Sequence, residues 1–153
     1  MDIYLDTCSL CRPFDDQSKL RIKIETEAVQ FIFEQIKKKK VKWIASEVLE
    51  FEINQINNLE KRIKILSFLK IANSKIKYSD KIEEKGIQIE KKGFNLLDAL
   101  HISCSISSSA KYFITTVFRL KRRDLIYLTH YIFLVAFLRV LSILLQLIMK
   151  YLD

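Results

Sequence analysis

Glycine and proline are almost missing from this chain: 2 glycines and 1 proline in 153 residues. That scarcity excludes a collagen-like or low-complexity chain, since both are built on those residues. Cysteine is scarce as well. Cys8, Cys11 and Cys104 form no even disulfide framework, and Cys8-x-x-Cys11 has no second pair of ligands that would suggest zinc. A reduced, cytoplasmic setting is the expectation. Asp2 and Asp6 interrupt the opening residues, so no secretory signal is expected there. Acid is outnumbered by base, with 18 Asp and Glu against 26 Lys and Arg. The net charge of +8 favours a polyanionic partner, either nucleic acid or an anionic membrane. Half of the chain is hydrophobic, enough for a core, and its length suits one domain.

The first stretch organises the rest. Ile3-Tyr4-Leu5 is β-branched, aromatic and apolar, and reads as a short buried strand that ends at Asp6. A carboxylate at the tip of a buried strand is costly without a cation, a hydrogen bond or open solvent. Two readings stand. Asp6 caps a turn with help from Thr7 and Ser9, or it is a metal ligand at the carboxyl end of a parallel strand.

The loop Arg12–Asp16 follows, with Asp16 as an N-cap. Ser18 to about Lys38 carries apolar residues at helical spacing, and the basic run Lys37–Lys40 sits where the macrodipole favours cations. Residues 41–45 read as a second strand, with Ser46 as the N-cap of another helix. On that helix Val48, Leu49, Ile53 and Ile56 form one apolar stripe. Glu52 falls inside the stripe, whereas Glu47 and Glu50 fall on the other side. A carboxylate on a packing face needs a reason. Either its head reaches solvent at the stripe edge, or it points inward to the same site as Asp6.

Helices follow over Leu59 to about Ala72 and over Lys81 to Lys92, the second capped by Asp80 and stopped by Gly93. Between them Ile76-Lys77-Tyr78 reads as a brief strand. Asn95 caps the next helix and puts Asp98 in its first turn, where the helix dipole stabilises an anion. His101, three residues on, either bonds to Asp98 or sits half-buried. Lys111–Thr115 is the last convincing strand. Strands separated by helices imply parallel crossovers, hence an α/β/α three-layer sandwich around a central parallel sheet. In that architecture Asp6, Glu52 and Asp98 can converge on one cleft.

The opening Ile-Tyr-Leu-Asp-Thr-Cys-Ser-Leu, the Ser46 to Ile53 segment, Leu97-Asp98-Ala99-Leu100-His101-Ile102 and Phe113-Ile114-Thr115-Thr116 together resemble the PIN-domain family, which includes VapC-type toxins. The resemblance covers residues 1–116 and implies a small α/β/α endoribonuclease acting on single-stranded RNA with Mg²⁺ or Mn²⁺. It implies metal-binding and catalytic roles for Asp6, Glu52 and Asp98, and substrate-binding polar positions at Thr7, Ser9, Thr115 and Thr116. It also implies a cognate antitoxin and a homodimer.

The chain departs from the family pattern after Thr116. Val117 and Phe118 stand where the family usually has a fourth acid. From Leu125 to Met149 the only strongly polar residues are His130, Arg139 and Gln146. Residues 117–153 therefore read as an atypical tail with two competing explanations. One is a membrane anchor, long enough to span a bilayer and flanked by Lys121-Arg122-Arg123, with Arg139 near its middle as the objection. The other is a translational frame change after Thr116: shifted codons for Val117 to Phe133 can encode an Asn-Pro turn of the family type. The rival to a working ribonuclease is thus a membrane-attached or catalytically inactive nucleic-acid-binding module.

Overall fold

The computed structural model describes residues 1–116 and the strand Ile132–Val135. Five strands form one sheet: β1 (Asp2–Leu5), β2 (Lys42–Ser46), β3 (Ser74–Ile76), β4 (Tyr112–Thr115) and β5 (Ile132–Val135). Their order is β3-β2-β1-β4-β5, and every pairing is parallel. Six helices connect them: α1 (Thr7–Cys11), α2 (Leu20–Lys37), α3 (Glu47–Asn54), α4 (Leu59–Leu69), α5 (Asp80–Glu90) and α6 (Leu96–Ser107).

The alternation of strand residues builds two cores. Ile3, Leu5, Trp43, Ala45, Tyr112 and Ile114 face one way, onto Val29, Ile32, Phe33 and Ile36 of α2 and Leu49, Ile53 and Ile65 of α3 and α4. Tyr4, Ile44 and Phe113 face the other way, onto Ile82 and Ile89 of α5 and Ala99, Ile102 and Cys104 of α6. Since both sheet faces are covered, the strands read as near-continuous apolar runs. This is the expected α/β/α sandwich.

The chain winds from β1 outward through β2 to β3, then returns to place β4 on the other side of β1. The strand order reverses between β1 and β4, and ligands of open α/β sheets bind at the carboxyl ends beside such a reversal. Asp6 follows β1 there and Thr116 follows β4. The backbone N–H of Asp6 donates to the Ile114 carbonyl at 3.2 Å, which locks the two strand ends together.

Several local expectations shift. Asp16 does not cap α2: its Oδ1 accepts from the N–H and hydroxyl of Ser18 in a turn, and Lys19 holds the cap position without a side-chain bond. Ser79 rather than Asp80 precedes α5. Strand β3 lies two residues earlier than expected. Gly93 has φ of +98°, the left-handed geometry that ends the turn after α5. The sheet also takes one more strand, β5, from within the tail. The frame-change and anchor readings fall on residues 117–131 and 136–153, which lie outside the described residues. Among the described residues no helix is long and apolar enough to cross a membrane.

Candidate active site

Asp6 has two local jobs. It is the N-cap of α1, and its Oδ1 accepts from the Ser9 N–H at 2.8 Å. Its carboxylate is also bonded by the Thr115 hydroxyl from the end of β4. The side chain is almost completely buried, and burial pushes its carboxyl above the usual range, with the Thr115 and Ser9 bonds opposing that rise. A cation beside Asp6 would relieve the same cost.

Glu52 points inward, the second of its two readings. Its Oε2 accepts from the Thr7 hydroxyl and from His101 Nε2, the latter at 2.7 Å. Burial raises its carboxyl, but the bond and charge of His101 and the Thr7 bond outweigh that and hold it below the usual range. Glu50, by contrast, pairs with Lys75 on the surface.

Asp98 sits in the first turn of α6, where the Asn95 side chain caps the helix by accepting from Leu97 N–H at 2.9 Å. Its charge reaches Cys8 of α1. Burial first, then the charges of Asp6, Glu52 and Asp98, push the Cys8 thiol well above its usual value. All three carboxylates therefore act on one thiol at the start of α1.

The four polar positions are all buried. Thr7 spends its hydroxyl on Glu52, Ser9 donates to the Ile114 carbonyl at 3.2 Å, and Thr115 bonds Asp6. Thr116 Oγ1 has no hydrogen-bond partner among the described residues, so it keeps a free polar atom at the end of β4.

Two features escaped the sequence reading. His101 is neither half-buried nor turned to Asp98: its exposure is 2%, and its ring nitrogens are taken by Glu52 and Tyr4. Arg12 is the other. Its guanidinium meets Asp15 at 2.7 Å and Glu25 at 2.5 Å and donates to the Thr116 carbonyl at 3.4 Å. Lys61 of α4 reaches the second oxygen of Asp15 at 2.8 Å. This network pins the loop after α1 to α2, α4 and the end of β4. No local pattern announces it, because its partners come from three separate segments.

Oxygen donors dominate the site, as Mg²⁺ and Mn²⁺ prefer. Among the described residues no three His, Cys, Asp or Glu side chains stand close enough to hold an ion through three direct bonds. A hard cation that keeps most of its waters and takes only one or two carboxylates still fits. A separate cavity of 430 Å³ over α5 and α6, lined by Lys81, Glu84, Lys85, Gln88 and Ser107, includes none of the three site acids.

No protein-family model matches the chain, and no curated protein matches it. Solved structures do match. A chain of VapBC2 from Rickettsia felis, bound to a DNA fragment from their promoter, is 17% identical with a TM-score of 0.55, covering 90% of this chain and 100% of that one. A chain of FitAcB from Neisseria gonorrhoeae is 16% identical with a TM-score of 0.48, covering 75% and 87%. A chain of FitAB bound to an IR36 DNA fragment is 16% identical with a TM-score of 0.47, covering 74% and 84%. At such identities the likeness is one of fold, and the fold is that of the PIN domain.

Proposed function

We propose that residues 1–116 carry a metal-dependent endoribonuclease of the PIN toxin type that cuts single-stranded RNA. The observation that carries this reading is Asp6, buried at the carboxyl end of β1 beside the strand reversal, with Glu52 bonded to the next residue, Thr7. A buried carboxylate at the end of a strand costs stability that a bound cation would offset. Asp6 is held above its usual pKa, which suits a cation neighbour.

Among Asp6, Glu52 and Asp98, one or two would hold Mg²⁺ or Mn²⁺ directly and the rest through its waters. A bound ion of this kind lowers the pKa of a water and stabilises charge on phosphoryl oxygens. The protein's own residues supply the rest. Thr7 and His101 fix one oxygen of Glu52, and Ser9 and Thr115 fix Asp6. The excess of base over acid draws a polyanion toward an acidic site, since phosphate contacts dominate affinity for nucleic acid. A cognate antitoxin and a homodimer belong to the same proposal. VapBC2, similar in fold, was itself solved on promoter DNA.

A second reading, an inactive nucleic-acid-binding module, is favoured by Val117 standing where a fourth acid is expected. Purified protein assayed on single-stranded RNA with Mg²⁺, Mn²⁺ or EDTA separates the two. Cleavage that EDTA and Asp6→Asn both abolish supports the enzyme. RNA binding without cleavage in any metal supports the module, and equal cleavage by Asp6→Asn removes Asp6 from the site.

A further inference from the structure

Glu52 ends a buried polar chain that the reaction itself does not require. Ser46 Oγ and Tyr4 Oη share a hydrogen bond of 2.6 Å. Tyr4 Oη and His101 Nδ1 share one of 2.8 Å. His101 Nε2 donates to Glu52 Oε2 at 2.7 Å. Ser46, Tyr4 and His101 are 0%, 0% and 2% exposed. Ser46 is also the N-cap of α3, accepting from the Leu49 N–H at 2.9 Å. The chain thus leaves α3 at its first turn, crosses β1 and α6, and returns to α3 at Glu52.

Resting on the reading of Glu52 as a metal-facing carboxylate, we infer that His101, itself held by Tyr4, is the positioning residue that fixes which oxygen of Glu52 is offered to the metal. Glu52 Oε2 takes both protein donors, Thr7 and His101, so Oε1 is left for a ligand. The imidazole cannot turn to release Oε2, because Tyr4 holds its other nitrogen and Tyr4 is held in turn by Ser46. The Tyr4 ring is fixed independently, stacked on Phe113 at 5.7 Å and 16°. A purely packing histidine in the apolar layer of α6 would need neither an acid nor a tyrosine at bonding distance. Partners behind a metal-binding side chain set its orientation and typically shift metal affinity by about 10–100-fold.

Tyr4→Phe removes one hydroxyl and leaves the stacking on Phe113 in place. Mn²⁺ titration by calorimetry should show its Kd raised about tenfold. His101→Ala should weaken Mn²⁺ further, and His101→Gln, whose amide can still donate to Glu52, should recover part of the loss. Should Tyr4→Phe fail to fold, the two His101 variants carry the same comparison. Nitrogen-15 spectra of the metal-free wild type supply a readout that packing alone would not move: His101 Nε2 should carry a slowly exchanging proton that Tyr4→Phe makes exchange faster. An unprotonated Nε2 in the wild type would overturn the proposal. So would unchanged Mn²⁺ affinity in folded Tyr4→Phe or His101→Ala while Glu52→Gln loses it. Wild-type Mn²⁺ affinity in Glu52→Gln would remove the metal reading of Glu52, and the positioning role with it.

Discussion

Glu50 and Glu52 lie two residues apart on one helix and provide a controlled comparison. Glu50→Gln breaks a pair with Lys75 in which both side chains are more than two-fifths exposed. Such pairs contribute about 0.2–1 kcal/mol, so this variant should lose less than about 1 kcal/mol. Glu52→Gln changes an acceptor that serves both Thr7 and a buried His101. Bonds to a charged partner contribute about 1.5–3 kcal/mol against about 0.5–1.5 for neutral ones. Neutralising Glu52 keeps one acceptor oxygen but weakens two bonds by about 1 kcal/mol each. Relief of desolvation offsets part of that loss, leaving a net cost of about 1–2 kcal/mol.

The pH dependence has a definite sign. The fold holds the Glu52 carboxyl below its usual value despite burial, because His101 and Thr7 favour the ionised form. The unfolded chain then binds more protons than the folded one in the window between the two values. Stability from Glu52 is therefore fully present above the unfolded carboxylate value, about 4.3, and is lost as pH falls through the folded value. Urea unfolding at pH 7 should separate Glu52→Gln from wild type, and the gap should close in acid. Mn²⁺ titration of the same proteins should show loss only for Glu52→Gln. Equal stability and equal metal affinity in the two variants would mean that the phase of α3 has been misassigned and the reasoning fails.

Two further outcomes follow from other contacts. A Cβ on Gly86 of α5 would lie 2.6 Å from Leu100 Cδ2 and 3.7 Å from Leu100 Cα, on the helix that carries Asp98 and His101. Gly86→Ala should stay within about 1 kcal/mol of wild type, because the Leu100 tip can turn and helix propensity improves by about 1 kcal/mol. Gly86→Val should lose about 1–3 kcal/mol by overpacking; equal melting temperatures for the two variants would refute this account of the helix contact. Burial, only partly offset by Lys61, pushes the Cys11 thiol up to about 11, and Cys8 is pushed up by burial and the three acids. Iodoacetamide at pH 8 should therefore label both at least about tenfold more slowly than a small free thiol, and labelling at the free-thiol rate would contradict the burial of the two thiols.

What the sequence disclosed was local. Strands β1, β2 and β4 are short apolar runs with a clear end, and the caps Ser46 and Asn95 lie within three residues of the N–H groups they accept from. Helical phase set Glu52 apart from Glu47 and Glu50 but left open whether its head turns inward or to solvent, because the deciding partner, His101, is 49 positions away. Helix α1 was harder to see: five residues carry too little periodicity, although the Asp6 carboxylate and the Ser9 N–H three residues on are an ordinary N-cap pair. Strand β5 was hidden for the opposite reason, since uniform apolarity from Leu125 to Met149 erases the alternation that would mark four paired residues.

His101 shows where a local rule loses to a distant one. Three-residue spacing on α6 makes Asp98 a natural partner for it, and on an exposed helix such pairs do meet. Here the ring faces the sheet, among Ala99 and Ile102, where an unpaired imidazole nitrogen would be expensive. Its partners had to come from that interior, and they are Tyr4, 97 positions away, and Glu52, 49 away. No window along the chain contains such a pair. The carboxylate in the apolar stripe of α3, the hydroxyl on the buried strand and the histidine on the buried face of α6 are each anomalous alone. Each becomes affordable only in the presence of the other two, which is why the three anomalies meet in one hydrogen-bonded cluster.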